Sequence, residues 1–216
     1  MSIVRYHNIF FDFDGTIADS SPGIIECVKH AISCADMDCP CEESIKSIIG
    51  PTLPTMIRTL YPDIDQKRFD IMFREYREHY KTAGVSGVVL YDGINELLCE
   101  LHRQGKRLFV VSSKPQKYLR QICANCSLSD LFEDIIGVDL TTDPLSKTRL
   151  LADLLEANQV DKSSSVMVGD TMSDIKAAQE NGIDSIGVTF GFGAFEEPFV
   201  PTYLCHSADE LAALLK

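Results

Sequence analysis

The 216-residue sequence has little positive charge. It contains 20 lysines and arginines against 32 aspartates and glutamates, which gives a formal net charge of −12 at neutral pH. Proteins that bind nucleic acid usually carry a basic stripe, and the sequence has none, so we expect no nucleic-acid partner. An anionic substrate would therefore need positive charge supplied locally, by a metal ion or by a few lysines.

Long apolar segments are lacking as well. No stretch is long and apolar enough to span a membrane, and no small-residue cleavage site follows the short apolar run near the N-terminus. The composition, 45% hydrophobic and 24% charged, is ordinary for a globular protein. We expect a cytoplasmic protein without a membrane partner, present as a monomer or weak homodimer.

Cysteine patterns that would mark a metal or redox site are weak. Cys39 and Cys41 flank a proline, and Cys123 and Cys126 form a C-x-x-C pair late in a predicted helix. A zinc site would need two such pairs in suitable geometry, and a redox pair would open a helix after a strand. We expect the eight cysteines to be reduced, buried and chemically silent.

The hydrophobic pattern predicts strands that alternate with helices over most of the chain. Continuous apolar segments, the first of them Ile3–Phe13, are typical of a parallel sheet that helices cover on both faces. Residues 17–88 instead show only helical periodicity. We predict an α/β protein in which residues 1–16 and 89–216 form a doubly wound parallel sheet, with residues 17–88 inserted as a small all-helical domain.

Polar side chains stand at the predicted carboxyl ends of the strands. The first strand ends in Asp12 and Asp14, and "FVVSS" ends in Ser112 and Ser113. Asp170 ends "VMVGD", and Lys147 opens the helix before that strand. A single strand-end aspartate is ordinarily a turn or helix cap. Ligands, however, bind at the carboxyl ends of parallel strands, and capping does not require these groups to share one edge.

The two acids after the first strand repel one another, because residues two apart on an extended chain point to the same side. Three facing carboxylates need a cation, and their hard oxygen atoms suit Mg²⁺. Beside such an ion a carboxylate can attack phosphorus and form an aspartyl-phosphate, while a second acid moves the protons. Backbone N–H groups after Asp12, a serine hydroxyl and a lysine ammonium would hold the phosphoryl oxygens.

Four motifs closely resemble those of the haloacid dehalogenase superfamily of phosphatases. "DFDGT" matches the first motif, "VVSS" the second and "GDTMSD" the fourth, and Lys147 stands at the position of the third. The resemblance covers essentially the whole chain and implies a Rossmann-like core with a helical cap inserted after the first motif. It implies Asp12 as the nucleophile and Asp14 as the general acid and base, with both also binding the metal.

The resemblance also assigns the remaining site residues. Ser112 and Lys147 would bind the phosphoryl group, Asp170 would be a further magnesium ligand, and Asp174 would ligate or support the ion from just outside. Two departures stand out: Lys147 lies in "LSKTRLL" rather than before a proline, and Ser113 replaces the asparagine of the common Thr-Asn-Lys-Pro. Gly15 and Ser113 are further candidates for substrate binding.

Other segments point to a subgroup. "IIGPTL", "LYDGI", "VVSSKP" and "GVTFGFG" most resemble phosphoglycolate phosphatases and 5′-nucleotidases. This implies a magnesium-dependent phosphomonoesterase that acts on a small phosphorylated metabolite. Gly50, in the Gly50-Pro51-Thr52 turn of the cap, either faces the substrate or merely ends a helix. Closure of the cap would exclude water from the site, with hinges near Ile17–Ser20 and Val88–Asp92.

Two other functions stay open at this stage. A phosphomutase of the same superfamily would return the phosphate to a sugar. A non-enzymatic, phospho-accepting regulatory domain would use a similar cluster of aspartate, hydroxyl and lysine, although a helical insertion after the first strand and the second acid argue against it.

Overall fold

The computed structural model describes residues 6–50, 52–139 and 145–216. The predicted strand from Ile3 is observed over Asn8–Phe11, and Ile3 itself lies outside the described residues. Within the described part, the strands are β1 Asn8–Phe11, β2 Ala18–Asp19, β3 Val89–Leu90, β4 Arg107–Pro115, β5 Asp134–Val138, β6 Ser165–Gly169, β7 Asp184–Val188 and β8 Tyr203–Cys205. The α-helices there are α1 Ser21–Cys34, α2 Glu42–Lys46, α3 Leu53–Leu60, α4 Gln66–His79, α5 Ile94–Arg103, α6 Gln116–Asn125, α7 Lys147–Ala157, α8 Met172–Asn181 and α9 Ala208–Leu215.

Six strands form a parallel sheet in the order β5-β4-β1-β6-β7-β8. The first strand is central, and Phe11 lies in register with Val110 of β4 and Val168 of β6. The carboxyl ends of β4, β1 and β6 are therefore neighbours. β2 and β3 pair with each other in a separate two-stranded sheet.

Both faces of the sheet are covered. Phe10 stacks on Phe109 with ring centroids 4.7 Å apart and belongs to a buried cluster with residues of α7 and α8, among them Leu151 and Ala178. Because side chains alternate along a strand, Ile9 points to the opposite face, and it too is buried. The predicted α/β fold with a doubly wound parallel sheet is confirmed.

The chain divides into two compact units, Met1–Ala18 with Leu90–Lys216 and Asp19–Val89. The first contains the six-stranded sheet and α5 to α9, and the second contains α1 to α4. The sequence predicts boundaries after residues 16 and 88. Among the described residues, no helix has both the length and the apolar character needed to cross a membrane.

The helical unit departs from the sequence prediction at one helix end. The periodicity predicts one helix from Gln66 to Ala83, but the α-helix ends at His79 and Tyr80–Gly84 form a π-helical turn. A Cβ on Gly84 would lie 2.3 Å from the ring of Tyr80. The absence of a side chain there lets the ring lie against the backbone, a packing effect that helical periodicity does not reveal.

The expectation for the cysteines is partly wrong. All eight are free thiols, and Cys27, Cys123 and Cys205 are buried, as expected. Four other cysteines are exposed: Cys34, Cys39, Cys41 and Cys99. Two of these flank Pro40 in the loop after α1, and the other two lie on outward positions of helices, where a small side chain has no core to enter.

Candidate active site

Three predicted site residues meet at the carboxyl ends of the central strands. Asp12 follows β1, Asp170 follows β6, and Ser112 lies within the last part of β4. The N–H of Asp12 donates to the carbonyl of Val168 at 2.9 Å, which ties the end of β1 to β6. All three side chains are buried although they are polar. Buried polar groups need partners, and those partners define the site.

Lys147 supplies positive charge inside this cluster. It is the first residue of α7, whose N-cap Ser146 accepts from the N–H of Arg149. Its Nζ lies 2.9 Å from Asp12 Oδ2 and 2.5 Å from Asp174 Oδ1. Burial alone would lower the pKa of this ammonium, but Asp12 and Asp174 outweigh burial and the net shift is upward. Lys147 is therefore a fixed cation between two carboxylates.

The positive charge of Lys147 does not fully offset the effects of burial and of the nearby acids on the pKa of Asp12. Burial raises the pKa of Asp12 to about 7; Lys147 opposes the rise, while Asp174, Asp170 and Asp14 add to it. The buried carboxylate thus lies in a place where a further cation would stabilise its charged form.

A loop that the sequence analysis missed holds Asp170. Its Oδ2 accepts hydrogen bonds from the N–H groups of Phe192 at 2.8 Å and Gly193 at 3.3 Å, and its Oδ1 accepts from Thr16 Oγ1 at 3.4 Å. Burial, followed by Asp174, raises the pKa of Asp170 to about 6, and the two amides oppose this. The signal in the sequence was "GFG" after β7, because a Cβ at Gly193 would lie 2.3 Å from the Asp170 carbonyl oxygen.

Asp174 is already engaged by the protein. It is the third residue of α8, and its Oδ2 accepts from the N–H and hydroxyl of Thr171, at 2.9 and 2.7 Å, in a capping box. Its Oδ1 accepts from Lys147. Asp174 therefore positions Lys147 and fixes the start of α8, while direct contact with a metal ion stays a prediction.

Asp14 has a partner that the sequence analysis did not assign. Nζ of Lys114 lies 3.0 Å from Asp14 Oδ1, and the lysine side chain is almost fully buried. The side chain of Asp14 is 24% exposed, against 6% for that of Asp12. Asp14 can thus reach water while Lys114 holds it in place. The signal was present in "VVSSKP", where the lysine directly follows the second motif.

The three residues that were predicted to bind substrate differ from one another in their surroundings. Ser113 is exposed whereas Ser112 is buried. The N–H of Gly15 already donates to the carbonyl of Ala18 at 2.9 Å. Gly50 belongs to the helical unit, and the neighbouring Pro51 lies outside the described residues. The substrate-binding roles of these residues stay predictions.

Gly15 has a steric role that can be tested. Its φ is +83°, and a Cβ there would lie 2.1 Å from Asp170 Oδ2. We expect Gly15→Ala to lower kcat by about 10²-fold, because displacing Asp170 misplaces the site. Gly105→Ala is the matched control: its φ is +76°, nothing lies within 4 Å of the added Cβ, and only the left-handed backbone cost of about 1–2 kcal/mol applies. Equal kinetic effects in the two variants would contradict this role.

The acidic cluster fits a hard divalent cation. Carboxylate oxygens of Asp12, Asp170 and Asp174 lie within 4.8 Å of one another. Asp12 Oδ1 is buried and has no hydrogen-bond partner among the described residues. Magnesium prefers oxygen ligands, and all the donor atoms of this cluster are carboxylate oxygens. Asp12 Oδ1 is free of other hydrogen-bond partners among the described residues, so the residues present fit this ion.

Comparison with known proteins agrees with this geometry. Residues 9–188 match the family of haloacid dehalogenase-like hydrolases. A 5′-nucleotidase from Pseudomonas aeruginosa is 34% identical over 98% of this chain and 95% of its own length. A phosphoglycolate phosphatase from Vibrio parahaemolyticus is 28% identical over 96% and 94%.

Two further similar proteins are one that is named as a kinase and one whose crystal structure is known. Tyrosine-protein kinase PtkA from Mycobacterium tuberculosis is 31% identical over 96% of this chain and 72% of its own. The crystal structure of a predicted phosphatase from Clostridium acetobutylicum is 32% identical, covers 97% of both chains and superposes with a TM-score of 0.85. The chain belongs to the haloacid dehalogenase-like hydrolase family, and it is a phosphatase of that family.

Proposed function

We propose that the protein is a magnesium-dependent phosphomonoesterase that hydrolyses a small phosphorylated metabolite through an aspartyl-phosphate on Asp12. The observation that carries this proposal is that buried Asp12 lies at the carboxyl end of β1, 2.9 Å from the Lys147 ammonium, with a second acid two residues later. Neither a helix cap nor a surface ion pair requires that combination.

The first step transfers the phosphoryl group to the protein. A carboxylate oxygen of Asp12 attacks phosphorus, the new P–O bond forms, and the bond from phosphorus to the leaving oxygen breaks. Asp14 gives its proton to the leaving alkoxide, which departs as an alcohol. Lys147 contacts the same carboxylate and would stabilise the negative charge on the phosphoryl oxygens.

The second step returns Asp12 to its starting state. Asp14, now ionised, takes a proton from water, and the hydroxide oxygen attacks phosphorus. The bond between phosphorus and Asp12 breaks, which releases inorganic phosphate and the free carboxylate. The partial exposure of Asp14 supports this role, because both steps exchange a proton with substrate or water.

Asp12, the backbone carbonyl of Asp14 and Asp170 would hold the magnesium ion, with Asp174 behind them. When bound, the ion supplies positive charge to the phosphoryl oxygens and to the carboxylates. The buried hydroxyl of Ser112 is the further candidate for a phosphoryl contact.

The substrate we propose resembles phosphoglycolate or a nucleoside monophosphate. The support is the sequence subgroup together with the names of two relatives, a 5′-nucleotidase and a phosphoglycolate phosphatase. We place specificity in the helical unit, with Gly50 as its candidate residue. The monomeric or weakly dimeric state and the cytoplasmic location stay predictions from the sequence.

The experiment measures phosphate release from a panel of esters with magnesium and with EDTA. The panel contains phosphoglycolate, nucleoside monophosphates, sugar phosphates and pyrophosphate. We expect release that requires magnesium, with phosphoglycolate or a nucleotide the best substrate. Rapid release in EDTA would contradict the metal requirement. Phosphate retained on a sugar product would indicate a phosphomutase, and a long-lived phosphoprotein without turnover would indicate a regulatory domain.

Asp14→Asn separates the two chemical steps. With p-nitrophenyl phosphate the leaving group needs little protonation, so we expect the variant to release nitrophenolate in a burst of one equivalent per chain. Steady-state turnover should then be slower than wild type by about 10²–10⁴-fold, because the base for the second step is missing. The measurement is stopped-flow absorbance. Wild-type turnover without a burst would remove the acid and base role of Asp14.

A further inference from the structure

A second cluster of potential metal ligands lies entirely within the helical unit. His30 and Cys34 are four residues apart on α1 and therefore share one face of that helix. Glu75 lies on α4, which packs against α1. The Nε2 atom of His30 is 3.6 Å from Cys34 Sγ and 3.9 Å from Glu75 Oε2, and all three ligand atoms lie within 4.8 Å of one another.

These distances are close to those of a tetrahedral zinc site. Zinc–ligand distances of about 2.3 Å to sulfur and about 2.0–2.2 Å to nitrogen and oxygen place tetrahedral ligands about 3.6 Å (N to S) and about 3.4 Å (N to O) apart. The observed separations are 3.6 and 3.9 Å. These two separations are thus close to the tetrahedral values, and the third, from Cys34 Sγ to the Glu75 carboxylate, is at most 4.8 Å.

Neighbouring groups hold two of the ligands in position. Glu75 uses Oε1 to accept from Arg74 at 2.9 Å, so Oε2 is the oxygen that faces His30. The ring of His79 stacks on that of His30, with centroids 4.1 Å apart and planes inclined by 13°. A hydrogen bond to the second oxygen of a ligating carboxylate, such as that from Arg74, is typical of protein metal sites.

An ordinary surface ion pair explains only part of this arrangement. His30 with Glu75, and His79 with Glu26 at 3.3 Å, would form such pairs if the imidazoles were protonated. An ion pair does not account for the thiol of Cys34, which contacts the same nitrogen atom of His30 in a hydrogen bond. One nitrogen, one sulfur and one oxygen ligand form a set that suits zinc.

We propose that His30, Cys34 and Glu75 bind one Zn²⁺ ion, with water at the fourth position, and that the ion links α1 to α4. Binding takes the thiolate form of Cys34, so the thiol proton is released to solvent. The site shares no ligand with the acidic cluster of Asp12, Asp170 and Asp174, and its ligands are given no part in the proposed hydrolysis. Its effect is to stabilise the helical unit in proportion to metal occupancy.

Cobalt is the probe, because a thiolate ligand gives Co²⁺ a charge-transfer band in the near ultraviolet that an all-oxygen site cannot give. The protein is titrated with Co²⁺ in excess Mg²⁺ and a phosphine reductant. We expect one equivalent of the thiolate band in wild type, and its displacement by Zn²⁺. The band should be lost in Cys34→Ser. In His30→Gln and Glu75→Gln the affinity for Co²⁺ should fall at least about tenfold.

Cys39→Ser is the matched control, since it removes another exposed thiol of the same unit and should leave the band unchanged. The ligands are at least partly exposed, so their variants should fold, and circular dichroism without metal checks this. With Mg²⁺ already saturating the acidic cluster, Zn²⁺ should raise the melting temperature of wild type but not of Cys34→Ser. The proposal is overturned if wild type shows no thiolate band, or if the band survives in Cys34→Ser.

Discussion

Asp12→Asn is expected to reduce kcat by at least about 10⁴-fold, because an amide cannot take the place of the attacking carboxylate. The isosteric change keeps the shape of the side chain and leaves Asp170 and Lys147 in place. The loss should therefore appear in kcat against every ester that the wild type hydrolyses. Steady-state phosphate release at saturating magnesium measures it. Asp130→Asn, the same change at an exposed position, should have wild-type kinetics.

The same variant should be more stable than wild type at high pH in the absence of metal. Burial raises the pKa of Asp12 from 3.8 to about 7, so without metal its charged form costs folding free energy that grows as the pH rises through that range. At pH 8 in EDTA we expect Asp12→Asn to melt a few degrees above wild type, and at pH 4 the difference should vanish. A lower melting temperature at pH 8 would contradict this account of the cluster.

Lys147→Met is expected to impair both activity and folding. The lysine is the cation between Asp12 and Asp174, so its loss leaves two buried carboxylates facing one another. Removing one partner of a buried charge pair costs about 3–5 kcal/mol. Loss of a group that stabilises phosphoryl charge should lower kcat/KM by about 10²–10³-fold.

Urea denaturation and initial rates measure the two effects separately. Lys117→Met is the matched control, because this lysine is exposed on α6 and its loss should change stability by no more than about 0.5 kcal/mol. Saturating magnesium should restore part of the stability of Lys147→Met by supplying the missing positive charge. A variant as stable and as active as wild type would show that the observed ion pairs are incidental.

The strand-end pattern was enough to predict the architecture and which strand-end residues would be neighbours. Alternating apolar strands and helices predict a parallel sheet, and in such a sheet the segments that end in Asp12, Ser112 and Asp170 must meet at one edge. The structure brings the carboxylates of Asp12 and Asp170 together, Asp12 contacts Lys147, and Ser112 lies on the strand next to β1. Their roles in catalysis remain predictions, because position alone does not establish chemistry.

What the sequence could not predict depends on side-chain packing and on loops. The pairing of Lys114 with Asp14 joins residues 100 apart, and nothing in the local pattern shows which acid the lysine faces. The amides of Phe192 and Gly193 hold Asp170 because the loop after β7 reaches the residue that follows β6. Cysteine is usually a buried residue, so composition alone predicts a core position for Cys34. The residue is instead exposed, and its sulfur atom contacts His30.

The most direct test of the central claim is to trap the phosphoenzyme. The Asp14→Asn variant is mixed with p-nitrophenyl phosphate labelled on phosphorus, quenched in acid after the burst, digested and mapped by mass spectrometry. We predict one label per chain, located on Asp12. Phosphate released without a labelled peptide, or a label on any other residue, would contradict the aspartyl-phosphate mechanism and the role of Asp12 in it.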